Sequence, residues 1–141
     1  MSAPQASIDS ATLDAAQASY ERASGKPEFY ASFYANFFKV CPDARSRFAK
    51  TDFDRQHKLL HHAIGMLLIY PKHLNEDPNL LSRLAKRHGR NDLDIPASMY
   101  RPFVDALITT LRQCDPSFTG PLETGWRAIL DVGIRYMQSK Y

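Results

Sequence analysis

Apolar residues recur along most of the chain every three or four positions, which is the spacing of an amphipathic α-helix. Prolines and glycines divide this pattern into segments of helical length. The chain has 14 leucines against 3 valines, and no hairpin dipeptide joins two alternating runs, which argues against a β-sheet. The pattern predicts helices over about 11–22, 28–40, 42–48, 78–88, 96–111 and 121–137. Another helix, capped by Thr51 or Asp54, is expected to end before Pro71.

The length and charge of the chain narrow the class of protein. The 141 residues suffice for one domain, expected over 11–141, and residues 1–10 are expected to be flexible. The 18 basic residues are scattered among 15 acidic ones, so the net charge of +3 does not indicate a nucleic-acid partner. No apolar run reaches the roughly 20 residues that span a membrane, and the first residues do not resemble a signal peptide. We therefore expect a cytoplasmic protein with no membrane partner, in which Cys41 and Cys114 stay reduced.

Two polar residues interrupt the apolar faces of the predicted helices. Gln56 begins the inner face of one helix and His88 ends the inner face of another. A buried polar side chain needs a partner, and a neutral imidazole is a good ligand for haem iron. A histidine at a helix C-terminus is also favoured by the helix dipole alone. The pattern by itself therefore leaves open whether His88 binds a ligand or caps its helix.

The order and spacing of several residues resemble those of a known family. The residues are Phe33, Tyr34, Pro42, Phe48, Gln56, Leu60, His88, Pro96 and Tyr100. In this order they resemble single-domain bacterial globins, and in particular the haem domain of flavohaemoglobins, from about Leu13 to the end of the chain. The resemblance implies a globin fold of six to eight helices around a pocket that holds haem b.

The resemblance also implies a role for each matching residue. His88 corresponds to the proximal iron ligand and Phe48 to the phenylalanine that packs on the haem. Tyr34 and Gln56 correspond to the distal tyrosine and glutamine, whose hydroxyl and amide donate to a bound ligand and would be the catalytic pair. The remaining residues expected to contact the haem are Leu60, Leu84, Tyr100 and Phe103.

Some features depart from that resemblance or leave alternatives open. Tyr34 is also one of six aromatic residues in a helical stripe, where it could simply be part of the core. Tyr100 lies two residues further from the histidine than the family's proximal tyrosine. The acid that flavohaemoglobins carry late in the last helix has no counterpart before Lys140 and Tyr141, which argues against peroxidase-like chemistry.

The implied function is reversible binding of O2, NO and CO, with oxidation of NO as a reaction that would need an external reductase. A haem-based gas sensor and a haem-free interaction module are the alternatives, and the chain could be a monomer or a homodimer. His57 and His61 have the spacing of a two-point metal clip, but no third ligand accompanies them. A solvated surface is therefore expected for both and for His62 and His73. A shift in helix register could instead bring His57 to the sixth position of the iron.

Overall fold

The structure is a computed structural model that describes residues 8–74, 76 and 80–141. Within that part of the chain the prediction of an all-helical protein is confirmed, since seven α-helices and two short 3-10 turns account for the regular structure. The α-helices are α1 (Ser10–Ser24), α2 (Phe29–Val40), α3 (Pro42–Arg47), α4 (Phe53–Ile69), α5 (Ser82–His88), α6 (Tyr100–Cys114) and α7 (Gly120–Ser139). None of the helices in the described ranges is long and apolar enough to span a membrane.

Side-chain caps determine where three of the longer helices begin. The carboxylate of Asp9 accepts a hydrogen bond from the Thr12 amide (2.7 Å) at the start of α1, and Thr119 caps α7 in the same way. At α4 the cap is Asp52, which accepts hydrogen bonds from the amides of residues 54 and 55. The prediction of Thr51 or Asp54 as this cap is wrong, because Asp52 is the residue with the extended backbone that a cap requires.

Two predictions fall wholly or partly outside the described residues. Of the segment expected to be flexible, residues 1–7 lie outside them, whereas Asp9 and Ser10 already belong to the capped start of α1. The expected helix start at Asp77 and Pro78 also lies outside, and the helix that carries His88 is described from Ser82.

The core forms where α2 packs on α6 and where α1 packs on α7. The aromatic stripe of α2 supplies one half of it, with Phe29, Phe33, Tyr34 and Phe37 all buried. From α7, Trp126 and Ile129 are fully buried on the other side. Burying aromatic and aliphatic side chains of this size supplies most of the stabilisation of a helical domain.

A glycine on α7 brings the two helices of the expected haem site together. A Cβ atom at Gly133 would lie 2.5 Å from Leu67 Cδ2 of α4 and 3.1 Å from Leu81 Cδ1, just before α5. A side chain at position 133 would require the ends of these leucine side chains to move. Gln56 lies roughly three turns before Leu67, and His88 about two turns after Leu81. Both polar residues are therefore far from the point where their helices meet on α7.

Candidate haem site

The distal side of the candidate site is built from α2 and the first turn of α4. Tyr34 is buried at 5% exposure, and Gln56 Nε2 donates a hydrogen bond to its hydroxyl oxygen at 3.0 Å. Burial raises the pKa of Tyr34 to about 12, although the hydrogen bond from Gln56 acts in the opposite direction. The phenol is therefore neutral near pH 7. Because its oxygen already accepts from Gln56, its own O–H remains available as a donor.

Aromatic rings surround Tyr34. Phe48, which follows α3, and Phe53, the first residue of α4, have ring centroids 5.5 Å and 5.4 Å from that of Tyr34. Phe38 lies one helical turn after Tyr34, at 5.9 Å. The structure thus joins three predicted residues, Tyr34, Phe48 and Gln56, in one cluster. Sequence reasoning missed the role of Phe53, although its position three residues before Gln56 puts both on one helix face.

His57 also contacts the distal tyrosine. Its imidazole stacks on the ring of Tyr34, with centroids 5.8 Å apart and planes inclined by 11°. It also stacks on Tyr30 at 5.9 Å. The expectation of a solvated surface is wrong for His57, because rings from α2 cover it on two sides. His61 is exposed but accepts or shares hydrogen bonds with two tyrosines, so it is not paired with His57 as a metal clip.

His88, the last residue of α5, has the protonation that an iron ligand requires. Its Nδ1 lies 2.9 Å from the carbonyl oxygen of Leu84, one turn earlier on α5. A carbonyl only accepts hydrogen bonds, so Nδ1 carries the proton and Nε2 keeps its lone pair. Burial is the main cause that lowers the pKa of His88, which keeps the ring neutral. Among the described residues, Nε2 has no hydrogen-bond partner.

Backbone hydrogen bonds hold the segment that follows His88. The amide of Ile95 donates to the His88 carbonyl at 3.0 Å, and that of Asp94 donates to Gly89 at 2.8 Å. Asp94 adopts a positive φ of 52°, which closes this loop tightly. Arg47 at the end of α3 donates to the Leu93 carbonyl at 2.9 Å. These bonds connect the loop after His88 to α3, next to Phe48.

The other residues predicted to contact a haem lie in different surroundings. Leu60 is buried on α4, and Leu84 is partly buried and supplies the carbonyl that orients His88. Phe103 packs on Phe33 at a centroid distance of 5.2 Å, between α6 and α2. Tyr100 lines a groove between α6 and α7 and forms no hydrogen bond with His88.

The chemistry of these residues fits a haem. An imidazole with a bare Nε2 supplies the one protein ligand that haem iron needs, and its Nδ1–H is fixed by a second group, as iron-binding histidines require. Between α2 and α4, the phenol of Tyr34 and the amide of Gln56 provide polar donors among aromatic rings. Haem itself is flat and apolar with a polar centre, and this arrangement matches it.

Comparisons with known proteins identify the family of the chain. No curated protein matches the chain. Among solved structures, the chain is similar to the protein PA3967 of Pseudomonas aeruginosa PAO1, which is described as structurally highly homologous to a human hemoglobin. The two share 29% sequence identity with a TM-score of 0.86, over 92% of this chain and 98% of the other. The Globin family model matches residues 31–137, which is most of the chain. The protein therefore belongs to the globin family, as a globin of the bacterial single-domain type.

Proposed function

We propose that this globin binds haem b through His88 and uses it to bind O2 reversibly. The observation that carries the proposal is the hydrogen bond from Gln56 to Tyr34, which leaves the tyrosine O–H free to donate. When bound, the haem supplies the iron to which O2, NO or CO coordinates. The residues of the chain determine which of these gases is held and for how long.

The distal pair favours a polar ligand over an apolar one. Gln56 accepts no hydrogen bond from Tyr34 in this geometry but donates to it, so the phenol O–H is directed away from Gln56. A dioxygen ligand accepts hydrogen bonds much better than carbon monoxide does. A charge-assisted hydrogen bond contributes roughly 1.5–3 kcal/mol. The pair should therefore slow the release of O2 while leaving the release of CO nearly unchanged.

The proximal side favours ligand binding over peroxidase-like chemistry. The Nδ1–H of His88 donates to a neutral backbone carbonyl and not to a carboxylate. A carboxylate partner would give the imidazole more anionic character and strengthen electron donation towards the iron. With a neutral hydrogen-bond partner, the imidazole donates less electron density towards the iron, which supports reversible binding.

Oxidation of NO by O2 is the second candidate function, and the same Tyr34–Gln56 pair favours it. A hydrogen bond that retains O2 lengthens the time during which NO can reach it. Turnover needs an external reductase, because each cycle leaves the iron oxidised. A gas sensor would use the same site, whereas the free Nε2 of His88 argues against a haem-free module.

The experiment that tests haem binding is the visible spectrum of the reconstituted protein, reduced and then exposed to CO. We expect an intense haem band that shifts with CO, and we expect the His88→Ala variant to lose or alter it. His62→Ala is the matched control, because His62 is an exposed histidine on α4. A protein that takes up no haem, or a His88→Ala spectrum identical to that of the wild type, would contradict the proposal.

The experiment that tests NO oxidation measures nitrate formed when NO is mixed with the oxygenated protein. We expect the Tyr34→Phe variant to form less nitrate for each bound O2, because it releases O2 before NO arrives. Tyr70→Phe is the control, since it removes a buried phenol elsewhere in the molecule. Equal nitrate yields from wild type and Tyr34→Phe at limiting NO would remove the claim that this pair promotes the reaction.

A further inference from the structure

The first half of α6 and the second half of α7 border an open groove of about 510 Å³. Charged and apolar side chains both line this groove. They include Tyr100, Arg101 and Val104 from α6 and Ala128, Asp131 and Ile134 from α7. We call this surface the α6–α7 face. It contains neither His88 nor the Tyr34–Gln56 pair.

The two helices of this face run antiparallel, since the start of α6 lines the groove together with the end of α7. Arg127 Nη1 lies 2.9 Å from Asp105 Oδ1, which places these two residues at the same level. One turn further, counted forward on α7 and backward on α6, Asp131 and Arg101 lie at a second common level. The face therefore carries four charged side chains at two successive levels.

These four charges alternate in sign along each helix and across the groove. At one level α6 carries the acid Asp105 and α7 the base Arg127, and at the next level the base is on α6 and the acid on α7. Asp131 pairs with Arg135 on its own helix at 2.7 Å, but more than half of its side chain stays exposed. The guanidinium of Arg101 is exposed and has no partner in the described part of the chain. The face thus presents accessible charges of both signs.

Apolar groups lie next to these charges. Val104 is partly buried and Ala128 is exposed, one on each wall of the groove. Tyr100 is half-buried, and its hydroxyl forms no hydrogen bond within the described residues. Tyrosine and arginine are enriched where proteins bind one another, because each combines a large contact area with polar atoms. This mixture of residues is typical of a protein–protein interface.

We propose that the α6–α7 face binds a second copy of this chain about a two-fold axis that runs along the groove. A half-turn about this axis places α6 of each copy opposite α7 of the other at the same level. Arg101 then faces Asp131 of the second copy, and the reverse contact forms as well. Asp105 and Arg127 are matched in the same way. Val104, one residue before Asp105, faces Ala128 of the second copy.

The alternation of charge is the reason why a second copy fits this face. Every charge at the two levels meets its opposite when the face is turned onto itself, so the face is self-complementary. A nucleic acid or a uniformly acidic protein would instead place negative charge against Asp105 and Asp131. The dimer would join two helices from each copy into a four-helix arrangement whose centre is lined by the groove residues.

The primary test is the mass of the haem-reconstituted protein in solution, measured by sedimentation equilibrium over a range of concentrations. We expect a monomer–dimer equilibrium that approaches twice the 16.0 kDa of one chain. Arg101→Glu sets two acids opposite each other and should raise the dissociation constant about tenfold or more. Arg55→Glu is the matched control, because Arg55 is also an exposed arginine in the first turn of its helix. A monomeric wild type, an unchanged dimer in Arg101→Glu, or an equal loss in Arg55→Glu would each overturn the proposal.

Two variants that fail alone should form a dimer when they are mixed. Asp131→Arg sets two bases opposite each other, so it should weaken the dimer as Arg101→Glu does. In an equal mixture of the two variants, the new acid of one chain faces the new base of the other, and the unchanged Arg101 and Asp131 face each other. We expect the dissociation constant to return close to that of the wild type. A mixture of folded variants that stays monomeric would exclude this two-fold arrangement, and circular dichroism of each variant establishes that it is folded.

A third variant tests the apolar part of the face and leaves the four charges in place. Ala128→Glu puts a carboxylate opposite Val104 of the second copy, and we expect a monomer because burying an unpaired charge is costly. Thr124→Glu is the control, since Thr124 is exposed one turn earlier on α7 and does not line the groove. A dimer that persists in Ala128→Glu would overturn the proposal. Each of these tests measures mass, so its outcome is independent of gas binding.

Discussion

Tyr34 shows how much a single residue depends on contacts that its own helix does not provide. Its place in the aromatic stripe of α2 is readable from helical periodicity, and the stripe is buried as expected. The periodicity does not say whether its hydroxyl is paired. That depends on Gln56, which is 22 positions further along the chain. In the sequence, only the resemblance to globins relates Tyr34 to Gln56.

We expect the Tyr34→Phe variant to release O2 roughly 10- to 150-fold faster than the wild type, because one hydrogen bond worth about 1.5–3 kcal/mol is lost. The Gln56→Leu variant should also release O2 faster, but by a smaller factor, since Gln56 acts mainly by orienting the phenol. Stopped-flow replacement of O2 by CO measures the rate. In the double variant we expect no further acceleration beyond Tyr34→Phe. Independent, multiplicative effects of the two changes would show that Gln56 contacts the ligand by itself.

Asp115 is a buried charge for which periodicity offers no signal. Its carboxylate accepts hydrogen bonds from Ser19 at 2.7 Å, from Arg22 at 2.7 Å and from the Ser117 amide at 2.9 Å. Burial alone would raise the pKa of Asp115, but these donors outweigh it and hold the pKa below the usual 3.8. The residue ties α1 to the turn between α6 and α7. From the sequence alone, an acidic residue directly after a helix is expected to lie in a turn that is exposed to solvent.

We expect Asp115→Asn to lower the free energy of unfolding by about 2 kcal/mol at neutral pH, since the charged acceptor is lost and Arg22 is only partly shielded from water. Because the folded pKa lies below the unfolded value of 3.8, the contribution is present above that value and is lost as the pH falls through the folded pKa. Denaturant titrations at several pH values measure the difference. A gap between wild type and variant that widens below pH 4 would contradict this account.

At the scale of the helices, the prediction succeeds where a proline or glycine lies near the end of a continuous apolar stripe. Helices α1, α2, α6 and α7 lie close to their expected positions, since each combines a continuous buried face with proline or glycine near an end. Helix α5 is described over only seven residues, and the residues expected to cap its start lie outside the described part of the chain. Its amphipathic pattern is too short to define where it begins. Element boundaries of this kind depend on tertiary packing and not on local signals.

The cap of α4 is an element-level test, because this helix carries Gln56 and His57. We expect Asp52→Ala to destabilise the protein by about 1 kcal/mol, since the amides at the start of α4 lose their acceptor. Asp54→Ala is the matched control, because Asp54 lies in the first turn but does not act as the cap. We expect it to cost only about half as much, through the helix dipole. Thermal unfolding of the two variants measures both changes, and equal losses would show that Asp52 acts only by its charge.

At the scale of the whole molecule, the candidate haem site depends on how helices far apart in sequence are arranged around α7. Both α4 and α5 pack on this helix, and Gly133 allows Leu67 and Leu81 to meet it closely. The sequence predicts that Gly133 lies in the last helix. It does not predict that two other elements contact the helix at this residue. A sequence shows which face of a helix is apolar, whereas the partner of that face follows from the tertiary fold. In the sequence, only the resemblance to globins predicts how these helices are arranged.

From the same arrangement we expect that the helix that carries His88 depends on a bound haem more than the other helices do. Helix α5 has only seven residues, and isolated helices shorter than about 12 residues are marginal in water. It packs on α7, and a haem held by His88 would add a second contact. We expect removal of the haem to accelerate amide hydrogen exchange in α5 far more than in α1, α6 and α7, which have their own buried faces. Amide hydrogen exchange of the haem-free and haem-bound proteins, followed by mass spectrometry, measures this difference.

The His88→Ala variant should exchange like the haem-free wild type even when haem is supplied. Equal protection of α5 in all three samples would mean that α7 alone holds this helix in place.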